Sequence, residues 1–425
     1  MKEQKKIATD VLVCGGGCAG IAAALAASRN NARTLLVERA PFSGGIITTV
    51  GLPFFDGIAE KKTGRVVVRG IPFELLMKMG RVKPGATMIK PHNPTIRSTE
   101  EFKVLADRML SAHGESIQVL YNSSACDVKV EGSRISAVMV ANKDGLVEVN
   151  ATQVIDCTGD GDVAHWAEVP IEKTQPLMPM TLHFRIGNVK PNPELLGKAR
   201  EALQGASEAG KLPMFYGPGL IYAFAKDEIY VHAVRVPGDA SDATDLSRAE
   251  MQGRSDAWAM FKAWKKEVPG FEDSYFISSG PYIGIRETRR LVGRHVLTAK
   301  DIKLGRRFDD AIATGCWYMD RHPNHTTIGT AHDGGGGYQP DPYDIPYRAL
   351  VAKKVDNLLV AGRCHSASAE AASSTRVTVT AMAMGQAAGT AAAMAVKAKQ
   401  GVALLDGVKV REELSAQGAG PLTDA

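Results

Sequence analysis

The residues with the clearest chemistry lie near the start of the chain. Gly15-Gly16-Gly17-Cys18-Ala19-Gly20 forms a G-x-G-x-x-G turn between the apolar run Val11–Val13 and an alanine-rich stretch. In this pattern Gly15 permits a tight turn, Gly17 lets backbone approach a pyrophosphate, and Gly20 lets the helix cross close to the strand. Cys18 and Ala19 then open a helix whose unpaired N–H groups face the phosphates. A second apolar run, Thr34–Val37, ends in Glu38, eighteen residues after Gly20, where an acid can hold ribose hydroxyls. Strand, turn, helix, strand and acid occur in the order that dinucleotide binding requires.

After Glu38 the chain reads Arg39-Ala40-Pro41-Phe42-Ser43-Gly44-Gly45. An acid–Arg pair and a Gly-Gly turn here resemble FAD enzymes of the glutathione-reductase superfamily. Val154–Asp162, with Thr158, Gly159 and Asp160 in its turn, looks like that family's strand and Thr-Gly turn, and Asn357–Arg363 looks like its last strand and Gly362 turn. Gly284–Arg290, Gly362–Ala367, the helix start at Arg376-Val377 and Asp320-Arg321-His322 are similar to the branch related to fumarate reductase and heterodisulfide-reductase-like flavoproteins. The resemblance implies non-covalent FAD, since no histidine lies near Ser43–Gly45, where some relatives attach the flavin. It also implies an α/β fold: a discontinuous Rossmann-like domain of parallel sheet and β-meander, with an inserted α+β substrate domain. The cofactor would be held by Gly15, Gly17, Cys18, Ala19, Gly20, Glu38, Arg39, Gly44, Gly45, Ala125, Thr158, Gly159, Asp160, Gly362, Arg363, Arg376 and Val377. Arg363 departs from the pattern, because many relatives carry Asp there to hold the ribityl chain.

The elements that must position these residues follow from periodicity. Phe102, Leu105, Ala106, Met109 and Leu110 recur at helical spacing, with Ser98 or Thr99 as cap. Runs at 117–121, 125–131, 135–142 and 146–150, parted by Glu-Gly-Ser and Lys-Asp-Gly turns, predict a β-meander that rejoins the parallel sheet at Val154–Asp156. Prolines at 170, 176 and 179 mark a crossover, followed by a strand over 180–186 and a hairpin over 220–225 and 228–236. Ala257, Phe261, Trp264 and Val268 form an apolar helical stripe suited to docking. The division expected is 1–50, 96–169 and 346–425 for the cofactor domain, and 51–95 and 170–345 for the substrate part. Gly334–Gly337 is a four-glycine loop, either a cover for a site or a plain turn.

Composition bounds the rest. The 425 residues are 44% hydrophobic and 23% charged, with a net charge of +5 spread along the chain, which gives no support to nucleic-acid binding. Six cysteines show no C-x-x-C and no secreted-type pairing, so iron–sulfur carriage is not expected and a reducing cytoplasm fits. Val377–Val396 holds no formal charge, but Ala381, Gly385, Gly389 and Ala393 recur every four positions as a smooth packing face, predicting a buried helix rather than a membrane span. Its N-terminus, by the resemblance, points at the flavin pyrimidine edge.

For chemistry beyond the cofactor, Arg286 is the best cation, able to hold a substrate carboxylate or the reduced flavin; the alternative is a structural network with Glu287 or Arg289. Histidine is the natural base. His322 and His365 are the best-placed candidates, against the common outcome of satisfied structural histidines, and Tyr347 is a weaker acid candidate. His322, His325 and His332 with Asp320 or Asp333 match no tight zinc spacing, so no metal is expected. No second G-x-G-x-x-G appears, which argues against a separate NAD(P)H domain. The expected function is a dehydrogenase or oxidase acting on a small organic molecule, an anionic one suiting Arg286. Oxygen, a quinone or an electron-transfer protein would take the electrons. A flavin monooxygenase using NAD(P)H and an FAD-bound RNA-modifying or assembly protein are the alternatives. The oligomeric state stays open.

Overall fold

The computed structural model describes residues 5–96, 98–190, 192–212, 220–322 and 337–422. The chain begins β1 (Lys6–Cys14), α1 (Cys18–Arg29), β2 (Thr34–Val37), then α2 (Ile71–Lys78) and α3 (Thr99–Ser111). Four strands follow: β3 (Ile117–Leu120), β4 (Ser124–Glu131), β5 (Arg134–Asn142) and β6 (Gly145–Asp156). After α4 (Asp162–Trp166) and β7 (Ile171–Glu172) come β8 (Phe184–Gly187), α5 (Leu195–Glu208), β9 (Leu220–Ala225), β10 (Glu228–His232), α6 (Ala243–Glu267) and β11 (Tyr275–Ser279). The chain then runs through β12 (Arg290–Leu291), α7 (Ala299–Lys303), β13 (Ala311–Gly315), β14 (Tyr343–Pro346), β15 (Leu358–Val360), α8 (Ala369–Thr375), α9 (Thr378–Lys397) and α10 (Gly407–Ala416).

The main sheet has the order β3-β2-β1-β6-β5-β4, with β15 also paired to β6. Strands β3, β2, β1, β6 and β15 run parallel, and β2 and β15 are buried on both faces, as parallel strands covered by helices must be. The meander strand and the returning parallel strand, which the sequence divides at Ala151-Thr152, are one strand. The first part of β6 pairs antiparallel with β5, and its last part, Val154–Asp156, pairs with β15. Ser98 caps α3 as expected, accepting from Glu100 N and Glu101 N at 3.2 Å.

Helix α9 is long and apolar enough to cross a membrane by composition, yet 89% of its apolar window is buried in the fold. It lies against α1 through its small residues: a Cβ at Gly385 would fall 2.0 Å from Ala19 O, and one at Gly389 would fall 2.1 Å from Ala23 O. Only glycine lets the two backbones approach this closely.

A second sheet, β11-β8-β10-β9, is antiparallel and carries α5 and α6. The stripe on α6 docks there: Trp264 is fully buried and donates its indole N–H to Ala199 O at 3.0 Å. This second apolar cluster spans Met180–Ile283. By contrast, Phe55, Ile58, Val66 and Leu75, from the segment that the sequence reading joined to the substrate part, pack in the cluster of α1 and α9, as do Ile312 and Tyr343. Phe55 meets the Phe102 ring of α3 edge-on at 6.1 Å. The physical reason is the apolar flank of α3, which needs cover that the parallel sheet does not give.

Candidate active site

The first cavity opens at the carboxyl ends of the parallel strands. Its floor is the turn after β1. Gly15 has φ +100°, and a Cβ there would lie 2.4 Å from Cys157 O. At Gly20 a Cβ would sit 1.8 Å from Gly15 O, so the turn and the first helical turn fit only as glycines. Gly17 is the N-cap of α1 and offers no capping side chain, while its own Cβ direction is open, with Gly45 Cα nearest at 3.7 Å. Unpaired helix amides beside open space suit a pyrophosphate.

Side chains from the other strand ends complete the cavity. Glu38 accepts from Gly16 N at 2.6 Å and Ala40 N at 2.7 Å, which fixes its carboxylate while leaving a lone pair on each oxygen. Burial pushes its pKa up, opposed by those two amides. Buried Asp156, at the end of β6, accepts from Thr158 N at 3.0 Å, Thr158 Oγ1 at 2.7 Å and Ala164 N at 3.0 Å, holding the Thr158-Gly159 turn. Arg363 donates to Asp160 Oδ1 at 2.8 Å and to Thr288 Oγ1 at 3.2 Å, so the departing cation of the last turn is anchored by an acid of the neighbouring one. Thr378 opens α9 without a side-chain cap, and its buried Oγ1 has no partner among the described residues, although the residue lines the cavity.

Most residues read from the sequence as cofactor-binding line this cavity: Gly15, Gly17, Cys18, Ala19, Glu38, Arg39 and Gly45 on one side. Thr158, Gly159, Gly362, Arg363 and Arg376 face them. Others do not. Gly20 serves packing, Gly44 donates to Gly16 O at 2.8 Å, and Asp160 orients Arg363. Ala125 pairs with Val140 at the start of the meander, two residues after Ser123, whose N–H donates to Glu38 O at 3.0 Å, and is not among the residues lining the first cavity. Val377 belongs to the next cavity. Ile46, Thr49, Tyr282 and Ile285 were not foreseen; Arg39 lies over the Tyr282 ring, 5.4 Å from its centroid.

A second cavity shares Ile46, Ile285, Arg376 and Thr378 with the first. Arg286 is buried here and donates to Pro179 O at 2.7 Å, to Thr181 Oγ1, and to His232 Nε2 at 2.7 Å. The structural network weighed for it does not form. Glu287 pairs with Arg290, Arg289 pairs with Asp162 at 2.8 Å, and Arg286 has no carboxylate partner among the described residues. Burial, then Arg235 and Arg376, work against its charge, a cost that an anion would relieve. His322 lies in the same cavity with its Nε2 3.2 Å from Asp320 Oδ1, and Asp320 also accepts from Arg376 at 3.1 Å. Burial, then Arg286, push the His322 pKa down to about 3, so its ring is neutral.

Three further residues of this cavity were missed: Asp56, His183 and His232. They come from distant segments of ordinary composition, and no local spacing signals them. The Tyr230 hydroxyl and His183 Nδ1 are hydrogen-bonded at 2.5 Å, and the His183 and His232 rings lie 4.4 Å apart.

His365 is a correction. It is fully buried and lines neither cavity; its Nδ1 lies 2.8 Å from Gly362 O, which can only accept. Its ring braces the last turn from beneath. Tyr347 likewise spends its hydroxyl on Val402 O at 2.8 Å. Cys14, Cys18, Cys157 and Cys364 are buried free thiols, and burial pushes Cys18 up to about 12, which makes it a poor nucleophile. Among the described residues no three His, Cys, Asp or Glu side chains could hold a metal. His325, His332, Asp333 and most of the four-glycine loop lie outside the described residues.

Residues 10–414 match the family model described as FAD dependent oxidoreductase. The chain is 27% identical over 197 residues to digeranylgeranylglycerophospholipid reductase 3 of Methanosphaera stadtmanae, covering 43% of this chain and 47% of that protein. It is 32% identical over 167 residues to thiamine thiazole synthase of Aeropyrum pernix, covering 37% of this chain and 56% of the relative. The chain thus spans about half the length of the curated relatives it matches. Among solved structures, a geranylgeranyl bacteriochlorophyll reductase-like protein from Thermoplasma acidophilum aligns over 97% of this chain and 84% of its own, at 13% identity and TM-score 0.48. The p-nitrophenol 4-monooxygenase of Pseudomonas putida aligns over 98% and 87%, at 11% identity and TM-score 0.46. This chain is an enzyme of the FAD dependent oxidoreductase family, with FAD as its cofactor.

Proposed function

We propose that the enzyme oxidises a small organic substrate bearing a carboxylate or a similar anion, at a CH–OH, CH–NH or CH–CH bond, with the anion held by Arg286. The observation that carries this reading is the buried guanidinium without a carboxylate partner among the described residues, at a cavity that shares four lining residues with the cofactor cavity. When bound, FAD would supply a two-electron acceptor for the substrate's hydride. The protein does the rest. The amides at Gly17 and the first turn of α1 would hold the pyrophosphate, with Arg39 and Arg363 offsetting its charge. Glu38 would take the ribose hydroxyls, and Thr378 would meet a polar edge of the flavin at the start of α9. Arg286 fixes the substrate's anionic end, and neutral His322 and His232 orient its polar atoms. Ile46, Leu52 and Val377 exclude water from the reacting carbon.

The strand order and turn placement support membership of the glutathione-reductase-like superfamily as part of the same reading. Oxygen, a quinone or an electron-transfer protein would reoxidise the enzyme, and the unpaired cysteines suit a reducing cytoplasm. The test is an anaerobic visible spectrum of purified holoenzyme against hydroxy acids, amino acids and saturated carboxylates, beside neutral analogues. Bleaching of the flavin by acids alone is expected. Bleaching by NADPH with none of these compounds would replace this reading with a monooxygenase.

A further inference from the structure

The second cavity contains more ionisable groups than substrate binding needs, and their hydrogen bonds sort them into donors and acceptors. Arg286 is permanently charged and donates to His232 Nε2, so that nitrogen carries no proton and cannot accept one from a substrate. His183 Nδ1 is taken up by its hydrogen bond with the Tyr230 hydroxyl. His322 turns its Nε2 to Asp320, which is itself engaged by Arg376. Each histidine is thus a neutral ring with a committed nitrogen. Asp56 differs. One of its oxygens receives a long contact from Asn93 Nδ2 at 3.4 Å, and its side chain has no ion pair and no other hydrogen bond among the described residues. Its main chain is fixed, because Asp56 O accepts from Val379 N at 3.1 Å and so docks the residue on the first turn of α9, beside Thr378.

We propose that Asp56 is the acid–base group of this cavity, the carboxylate that removes the substrate's proton. This rests on the function proposed above. In the oxidising direction the C–H bond and the neighbouring O–H, N–H or second C–H bond break, and a carbon–oxygen, carbon–nitrogen or carbon–carbon double bond forms. The hydride, with its two electrons, goes to FAD, and the remaining proton goes to a carboxylate oxygen of Asp56. The product keeps its anionic end on Arg286.

The electrostatics of the cavity agree. Burial pushes Asp56 up to about 7, with Asp320 adding to the rise and Asn93 and Arg376 opposing it. Tyr230 and Tyr318 also feel its charge, and both phenols are raised chiefly by burial, so they stay neutral. A carboxylate poised near neutral pH exchanges a proton at little cost in either direction, which His322, held near 3, does not.

Two measurements on the holoenzyme test this. Infrared difference spectra between about pH 5 and about pH 9 should show a protonated carboxyl stretch lost around neutral pH in the wild type and absent from Asp56→Asn. With whichever acid bleaches the flavin, Asp56→Asn should reduce flavin at least about 100-fold more slowly, lose the ionisation near neutral pH, and keep its FAD and its KM within a few-fold. Asp56→Ser serves as the second variant should the amide disturb folding. Asp156 and Asp256 are raised to about 6 by burial and contribute carboxyl bands of their own, so the band is read as the difference between wild type and variant. An unchanged pH profile and rate, or carboxyl difference spectra identical in the wild type and both variants, would overturn the proposal. Acetate, titrated as a probe by the flavin spectrum at about pH 6, separates the two readings. Failure of acetate to bind the wild type removes the Arg286 reading, while the infrared titration decides Asp56 by itself.

Discussion

Around the first cavity the walls are main chain: a glycine turn, two helix N-termini and the ends of parallel strands, with Glu38 tied to backbone amides on both oxygens. Around the second they are ionisable side chains, Arg286, His183 and His322 buried and His232, Asp56 and Asp320 half-buried, from loops and strands far apart in sequence. The contrast separates two tasks. A cofactor common to many enzymes can be held by backbone geometry that tolerates little change, while the substrate is recognised by charges that the fold must bury at a cost.

The comparison can be broken by substitutions that confuse the two sets. The largest effect is expected from Gly20→Val, whose Cβ has no room 1.8 Å from Gly15 O; purified protein should be colourless and refuse added FAD. Arg286→Ala should keep its flavin and lose roughly 100- to 1,000-fold in kcat/KM toward the acid that bleaches it, about 3–4 kcal/mol of transition-state stabilisation. Glu38→Ala should weaken FAD by about tenfold, read by flavin fluorescence on dilution, while the kcat of the FAD-saturated enzyme stays near that of the wild type. A smaller effect concerns stability. The Asp56 carboxyl binds its proton more tightly folded, near 7, than its ordinary value of 3.8, so its stabilising contribution is full below about pH 4 and is lost as pH rises through about 7. Asp56→Asn should therefore gain Tm over the wild type at about pH 8 and not at about pH 4, checked by thermal melts.

The same contrast explains what could be read in the chain. Gly15, Gly20 and Gly362 are legible because backbone conformations at fixed spacing admit few residues, and Glu38 is legible because a strand of set length carries it to the ribose. Asp56, His183 and His232 are ordinary residues whose meeting depends on how 51–95 folds over α9 and how β8 and β10 pair, which no local period encodes. His365 shows the opposite error. Its place beside the Gly362 turn was right, but the ring turns inward to a carbonyl.

The central claim is that Arg286 holds an anion beside the cofactor. Acetate titrated into wild-type holoenzyme should give a saturable change in the flavin visible spectrum, and Arg286→Ala, with its flavin in place, should need at least about 100-fold more acetate for the same change. Equal acetate responses in the two proteins would contradict it.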